Sequence, residues 1–152
     1  MLAHLPTGVT VITAFGAEGE PIGMAANSVT SLSLDPPLIL FCPARSSTTW
    51  PRIRAAGRFC VNVMAGHHEE TTRRFALKDA ERFAGVAYGP RPTGPGLTDA
   101  VAWIECELAD EHDGGDHTIV IGRVVALEGV PDAEPLVFFR GRYGSFRAPE
   151  GG

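Results

Sequence analysis

The sequence predicts a mainly β protein whose strands close into a barrel with a few helices packed outside it. Three observations carry that expectation. Short runs rich in β-branched and aromatic residues recur along the 152 residues, separated by glycine and proline turns. Only two stretches read as helices, and no strand–helix–strand alternation of the parallel-sheet kind is present. The length fits a single domain, residues 1–152, able to bury a sizeable core.

Residues 7–15 (TGVTVITAF) predict a strand with Val9, Val11 and Thr13 on one face and Thr10, Ile12 and Ala14 on the other. Residues 16–21 form a glycine-rich turn, and a second strand starts at about Ile22. After Pro36-Pro37, residues 38–42 read as a strand buried on both faces. Residues 47–56 predict a helix, with hydroxyl caps at its start, Pro51 in its first turn and Gly57 just past its end. Residues 58–64 are again a strand, and residues 67–77 a mostly polar helix whose His67-His68-Glu69-Glu70 reads as a solvated face. Residues 78–97, rich in proline and glycine, predict a long irregular connection. Two long strands, about 100–112 and 117–130, are joined by Asp113-Gly114-Gly115-Asp116, with Gly114-Gly115 as a two-residue turn. A last strand covers residues 136–143.

Net charge of -5 without a basic run argues against nucleic acid as a partner. No apolar stretch approaches the roughly 20 residues that span a bilayer, so no membrane association is expected. Residues 1–8 lack the pattern of a signal peptide. Cys42, Cys60 and Cys106 are odd in number and sit in apolar runs, which predicts buried reduced thiols in a cytoplasmic protein.

Residues 23–37 (GMAANSVTSLSLDPP) are unusually thin in side-chain bulk. Such thinning lets something other than the protein's own core approach the backbone. A planar cofactor suits it, a flavin above all, with the Asn27 amide and Ser28 hydroxyl reading a ring edge over Ala25 and Ala26. A polar strand edge or bulge is the plainer alternative. Residues 44–49 (ARSSTT) place Arg45 and four hydroxyls at a helix start, where free N–H groups favour an anion such as phosphate. Simple helix capping is the alternative there. With Gly114-Gly115 as the turn, His112 faces His117 and Asp113 faces Asp116, but the two pairs point to opposite faces. A metal then lacks a third ligand, so none is expected. A histidine at a hairpin tip beside a pocket suits substrate contact better, and an inert turn is the plainer alternative. Nucleotide-binding glycine loops, Gly-x-Ser-x-Gly and His-Glu-x-x-His are all absent.

The strings PTGVTVITA, PIGMAANSVTSLSLDPPLILFCP, AGRFCVNV, RFAGV, DGGDHTIVIGRV and PLVFFRGRY, in order from Pro6 to Tyr143, resemble the short-chain flavin reductases. These are reductase components of two-component flavin-dependent monooxygenases. The resemblance implies a Greek-key split β-barrel of the FMN-binding type, a homodimer, and hydride transfer from NADH or NADPH to FMN or FAD. The reduced flavin would pass to a separate monooxygenase. By position, Met24, Ala25, Ala26, Asn27, Ser28 and Val29 would line the isoalloxazine ring. Cys42, Pro43, Arg45, Ser46, Ser47 and Thr48 would hold the ribityl chain and phosphate, and Arg142 and Tyr143 would close the pocket. His117 corresponds to the family's histidine beside the nicotinamide and is the candidate catalytic residue. Two departures stand out: Ala25 takes the place of a family threonine, and only residues 1–5 precede the first strand where relatives have a helix. A flavin carrier or sensor without turnover, and a barrel relative that oxidises a small substrate or binds haem, are the competing readings.

Overall fold

The computed structural model describes residues 2–78 and 81–151, so residue 1 of the expected N-terminal segment, residues 79–80 of the expected connection and residue 152 lie outside it. After a short 3-10 turn (Leu2–His4) come β1 (Thr7–Gly8), β2 (Thr10–Phe15), β3 (Pro21–Ala26), β4 (Thr30–Leu34) and β5 (Pro37–Phe41). Then follow α1 (Trp50–Ala56), β6 (Arg58–Val63), α2 (Glu69–Ala76), β7 (Tyr88–Arg91) and β8 (Gly94–Leu97). The chain ends with β9 (Ala102–Gly114), β10 (His117–Gly129), β11 (Leu136–Phe139) and β12 (Arg142–Ser145).

Seven strands form one antiparallel sheet in the order β3-β2-β6-β9-β10-β5-β4. Ile12, Ile22, Phe41, Phe59, Val61, Cys106 and Val120, drawn from strands across it, share one buried cluster. The sheet therefore rolls around that cluster. Its edge strands β3 and β4 are joined by Asn27, Ser28 and Val29 but are not neighbours in the ladder, leaving the barrel split at this corner. Helix α1 does more than pack outside, since Trp50 and Ile53 enter the same cluster and Trp50 meets Phe41 edge-on at 5.5 Å. Pro51 lies in its first turn and Gly57 ends it at φ 74°, as the sequence predicts.

β2 shows why its alternation was readable although both its faces are buried. Ile12 and Ala14 face the barrel interior, while Val9 and Val11 join an outer cluster with Met64, Phe75, Leu97 and Leu136. Helix α2 covers this outer side through Phe75. Strand β5 is only buried inward, at Ile39 and Phe41, with Leu38 and Leu40 half-buried on its outer face.

Three expected segments fold differently. Residues 88–97 are not irregular: β7 and β8 form a hairpin laid on the barrel. β8 (Gly-Pro-Gly-Leu) has little strand propensity of its own. It is held by buried polar bonds: Thr13 Oγ1 donates to Pro95 O at 2.6 Å, and Leu97 N–H donates to Asn62 Oδ1 at 2.8 Å. The segment 136–143 is likewise a hairpin, β11–β12, turning at Arg140 and Gly141, which both take positive φ. In the β9–β10 hairpin His117 pairs with Gly114, Thr118 with Asp113 and Ile119 with His112. The turn is Gly115-Asp116, one residue later than expected, with positive φ at Gly115 alone. That is the type II′ pattern. His112 and His117 are consequently not opposite each other.

Gly94 makes the close approach of β8 possible. A Cβ there would lie 2.5 Å from Thr13 O and 2.8 Å from Thr13 C, in a backbone that cannot swing aside. Gly94→Ala is expected to lower stability by about 1–3 kcal/mol in urea denaturation. Gly89→Ala, where nothing lies within 4 Å, is the matched control and should change little.

Candidate functional site

The two patches singled out in the sequence are neighbours in space. Ser28 Oγ accepts the Cys42 N–H at 2.8 Å, tying the 27–29 corner to the start of the 42–49 loop. Met24, Ala25, Ala26, Asn27, Ser28 and Val29 are all half-buried. Along β3, Met24 and Ala26 pack on the barrel interior, and Ala25 packs on the outer cluster with Phe83 and Tyr143.

Gly23 corrects part of the reading of residues 23–37. A Cβ there would sit 2.7 Å from Phe75 Cε1 and 3.1 Å from Phe83 Cζ, so its missing bulk is filled by the protein's own rings. Those rings meet edge-on at 4.9 Å. The chain thins at Gly23 to seat α2 and the 81–84 segment, and a ligand's approach is confined to what lies beside them.

The 44–49 loop has two sides. On one, a cleft of about 400 Å³ is lined by Gly23, Thr48, Thr49, Arg52, Arg82 and Phe83. Arg82 Nη1 donates to Gly23 O at 2.8 Å and to Thr49 Oγ1 at 2.9 Å, and its Nη2 to Leu77 O at 2.7 Å. It thus clasps β3, the start of α1 and the end of α2 together. Arg82 was missed as a site residue, although it opens the RFAGV string. On the other side a cleft of about 410 Å³ is lined by Arg45, Ser47, Trp50, Arg54, Glu111 and Thr118. Its arginines are neutralised, Arg45 by Asp113 and Arg54 by Glu111.

The α1 amides expected to meet an anion are largely engaged. Ser47 Oγ accepts from Trp50 N–H at 3.1 Å and from Thr49 N–H at 3.3 Å, so the capping alternative holds for Ser47. Ser46 and Thr48 remain exposed. Beside the loop stand the Arg52 and Arg82 guanidiniums, with Arg52 Nη2 3.4 Å from Glu20 Oε1 and Glu81 on the same cleft wall. The Arg45 guanidinium is turned to the hairpin, where Nε donates to Gly115 O at 2.8 Å.

His117 reaches the loop. It pairs with Ala44, while Thr118 N–H donates to Pro43 O at 2.9 Å. Its Nδ1 lies 2.7 Å from Asp116 Oδ1, and this bond holds the Asp116 carboxyl below its usual range. Tyr143 shares the outer cluster with Ala25 and lies beneath the Arg73 guanidinium, 4.8 Å from its ring centre. Arg142 lines a separate cleft with Pro6, Phe139 and Arg140, away from the 44–49 loop.

Burial pushes the Cys60 and Cys106 thiols up to about 12, which leaves them without thiolate chemistry at neutral pH. Cys42 is half-buried. His68 is no part of a solvated face. It is 8% exposed, at the N-cap of α2, and its Nδ1 accepts the Ala65 N–H at 3.0 Å. Burial, and then neighbouring His67, lower its pKa from the ordinary 6.5. The unfolded chain therefore binds the proton first as pH falls. Stability should be level above about pH 6.5 and decline below it, as His68 is protonated and the Ala65 bond is lost. Urea midpoints between pH 5 and 8 check this, and His68→Asn, which keeps an acceptor, should flatten the decline.

The comparisons converge. A family model described as the flavin reductase like domain matches residues 2–147. A flavin reductase of Pseudomonas putida is 46% identical over 149 residues, covering 97% of this chain and 88% of that protein. The reductase subunit HsaB of a flavin-dependent monooxygenase from Rhodococcus jostii (strain RHA1) is 44% identical over 144 residues, covering 94% and 73%. Among solved structures, the NADH:FAD oxidoreductase SgcE6 of Streptomyces globisporus, in complex with NAD and FAD fragments, superposes with a TM-score of 0.91 at 38% identity, covering 99% and 91%.

Proposed function

The chain belongs to the flavin reductase-like family, and from that premise we propose that it passes a hydride from NADH or NADPH to FMN or FAD and releases reduced flavin to a separate monooxygenase. The observation that carries the reading is the cleft lined by Gly23, Thr48, Thr49, Arg52 and Arg82, at the far end of a 42–49 loop whose start at Cys42 is tied to the Asn27–Val29 corner. Two guanidinium groups, Arg52 being shared with Glu20, and two hydroxyls outnumber the Glu81 carboxylate on the lining and suit a phosphate, and a backbone wall with small side chains suits a flat ring.

When bound, the flavin supplies the hydride-accepting ring and the nicotinamide supplies the hydride. The protein's share is placement. Arg82, Arg52, Thr48 and Thr49 would hold the phosphate end. Ala25, Ala26, Asn27, Ser28 and Val29 let the ring lie close and offer amide and hydroxyl donors to its polar edge. His117, carried at the hairpin tip against Ala44, orients the nicotinamide. No triad or carboxylate pair is needed for such a step, which agrees with thiols made inert by burial.

The outward face of β4, β5 and β10 supports a homodimer. It carries half-buried Leu38, Leu40, Ile119 and Ile121. Sedimentation as a monomer at micromolar concentration would remove that assignment. Among the described residues no helix is long and apolar enough to cross a membrane, and the unpaired cysteines support a cytoplasmic setting.

Steady-state oxidation of NADH and NADPH, with and without added FMN or FAD, tests the reading. Flavin-stimulated consumption of reduced nicotinamide is expected. Flavin binding without such turnover would overturn it in favour of a carrier or sensor.

A further inference from the structure

The loop that borders the cleft and the hairpin that carries His117 are fastened to each other by backbone bonds and by one side chain. Residues 43–45 extend the sheet onto the hairpin tip: Thr118 N–H donates to Pro43 O and Arg45 N–H to Asp116 O, both at 2.9 Å. Beyond these backbone bonds, Arg45 Nε donates to Gly115 O inside the turn at 2.8 Å. Its Nη2 pairs with the Asp113 carboxylate on the strand before the turn. A guanidinium can take both partners at once because its donors are fixed in a plane. The guanidinium therefore grips the strand before the turn and the turn's first residue, while the Arg45 N–H holds Asp116 O on the side of His117. His117 is the second residue after Gly115, and Ser46 directly follows Arg45.

We infer that Arg45 is a positioning residue that, with Asp113, sets the His117 hairpin against the flavin-binding loop, and that it serves recognition of the nicotinamide nucleotide and not the flavin phosphate. The inference rests on the reading of His117 as the nicotinamide contact. Two features favour this role. The Arg45 guanidinium is bonded to the hairpin and is absent from the lining of the cleft that holds Thr48, Arg52 and Arg82. The pair is also exposed, at 51% and 81% for the two side chains, and an exposed ion pair adds little to global stability. Its removal should loosen the tip without unfolding the barrel.

The test compares Arg45→Ala, Asp113→Ala, their double variant, Arg45→Lys and His117→Ala. Each is scored by Michaelis constant for NADH, turnover number, FMN dissociation constant and amide hydrogen exchange without ligand. Arg45→Ala and Asp113→Ala are each expected to raise the NADH Michaelis constant about five- to tenfold, with FMN affinity changed less than about twofold. The double variant should be no worse than either single one, because both remove the same contact. Exchange at the Arg45 and Thr118 amides should quicken in all three. Arg45→Lys should recover part of the loss, since an ammonium reaches Asp113 but cannot also serve Gly115 O. A tenfold loss of FMN affinity in Arg45→Ala with an unchanged NADH constant would overturn the inference and make Arg45 a phosphate ligand. Additive effects of the two single changes, or unchanged exchange at the tip, would overturn it as well. If His117→Ala leaves the NADH constant and turnover unchanged, the reading of His117 falls and the inference with it. If only His117→Ala raises that constant, the inference alone falls.

Discussion

Replacing Arg82 by alanine is expected to weaken FMN binding by about tenfold, the equivalent of losing one charge-assisted interaction with the phosphate. The side chain lines the cleft beside Thr48, Thr49 and Arg52. It is held there by Gly23 O, Thr49 Oγ1 and Leu77 O, so its charge is placed before any ligand arrives. Pre-placement matters because a flexible arginine would lose rotamer freedom on binding. The same three bonds join β3, the start of α1 and the end of α2. The alanine variant should therefore also lose a modest amount of stability, about 1 kcal/mol. Arg82→Lys separates the two effects: it keeps charge but cannot span all three acceptors, so affinity should fall less than in the alanine variant. Quenching of flavin fluorescence on titration measures both. An alanine variant that binds FMN as wild type does would show that the cleft is not the phosphate anchor.

Gly23→Val carries the second large effect. Its first added atom would stand 2.7 Å from Phe75 Cε1, 3.0 Å from Phe75 Cδ1 and 3.1 Å from Phe83 Cζ. Phe75 is fully buried and Phe83 packs on it edge-on, so the rings can yield only by moving α2 and the 81–84 segment. Overpacking of this kind costs about 1–3 kcal/mol. Phe83 adjoins Arg82, so the shift should carry the guanidinium off Gly23 O and Thr49 and weaken FMN binding as well. Relief should come from the neighbour. Phe83→Leu in the Gly23→Val background should be less destabilised than the sum of the two single changes. Simple additivity, measured by urea denaturation, would mean that Gly23 is not seating those rings.

What could be read from the chain was whatever local physics controls. Alternation through β2 and the residue before it was visible because each face meets apolar partners, Ile12 and Ala14 inward, Val9 and Val11 outward. Pro51 and Gly57 marked the ends of α1 because their backbone preferences act within a turn. The misreadings have distant causes. β8 is a strand only because the Asn62 amide and Thr13 hydroxyl, from other strands, satisfy its backbone. Gly114-Gly115 and Gly115-Asp116 are both acceptable two-residue turns, and the 13-residue strands on either side decide the register. Arg82 sits in a stretch without periodicity, and its role comes from acceptors on three separate segments. Gly23 was noticed for its lack of bulk, but the sequence offered no means to tell a ring of the protein from a ring of a ligand.

The claim on which the account turns is that the flavin is anchored by its phosphate between Thr48, Thr49, Arg52 and Arg82. Dissociation constants for FMN and for riboflavin, which lacks the phosphate, measured on wild type and on Arg82→Ala, test it most directly. Wild type is predicted to prefer FMN by at least about tenfold, and Arg82→Ala to lose most of that preference while binding riboflavin almost unchanged. Equal affinity of wild type for the two flavins, or an undiminished preference in the variant, would contradict the account.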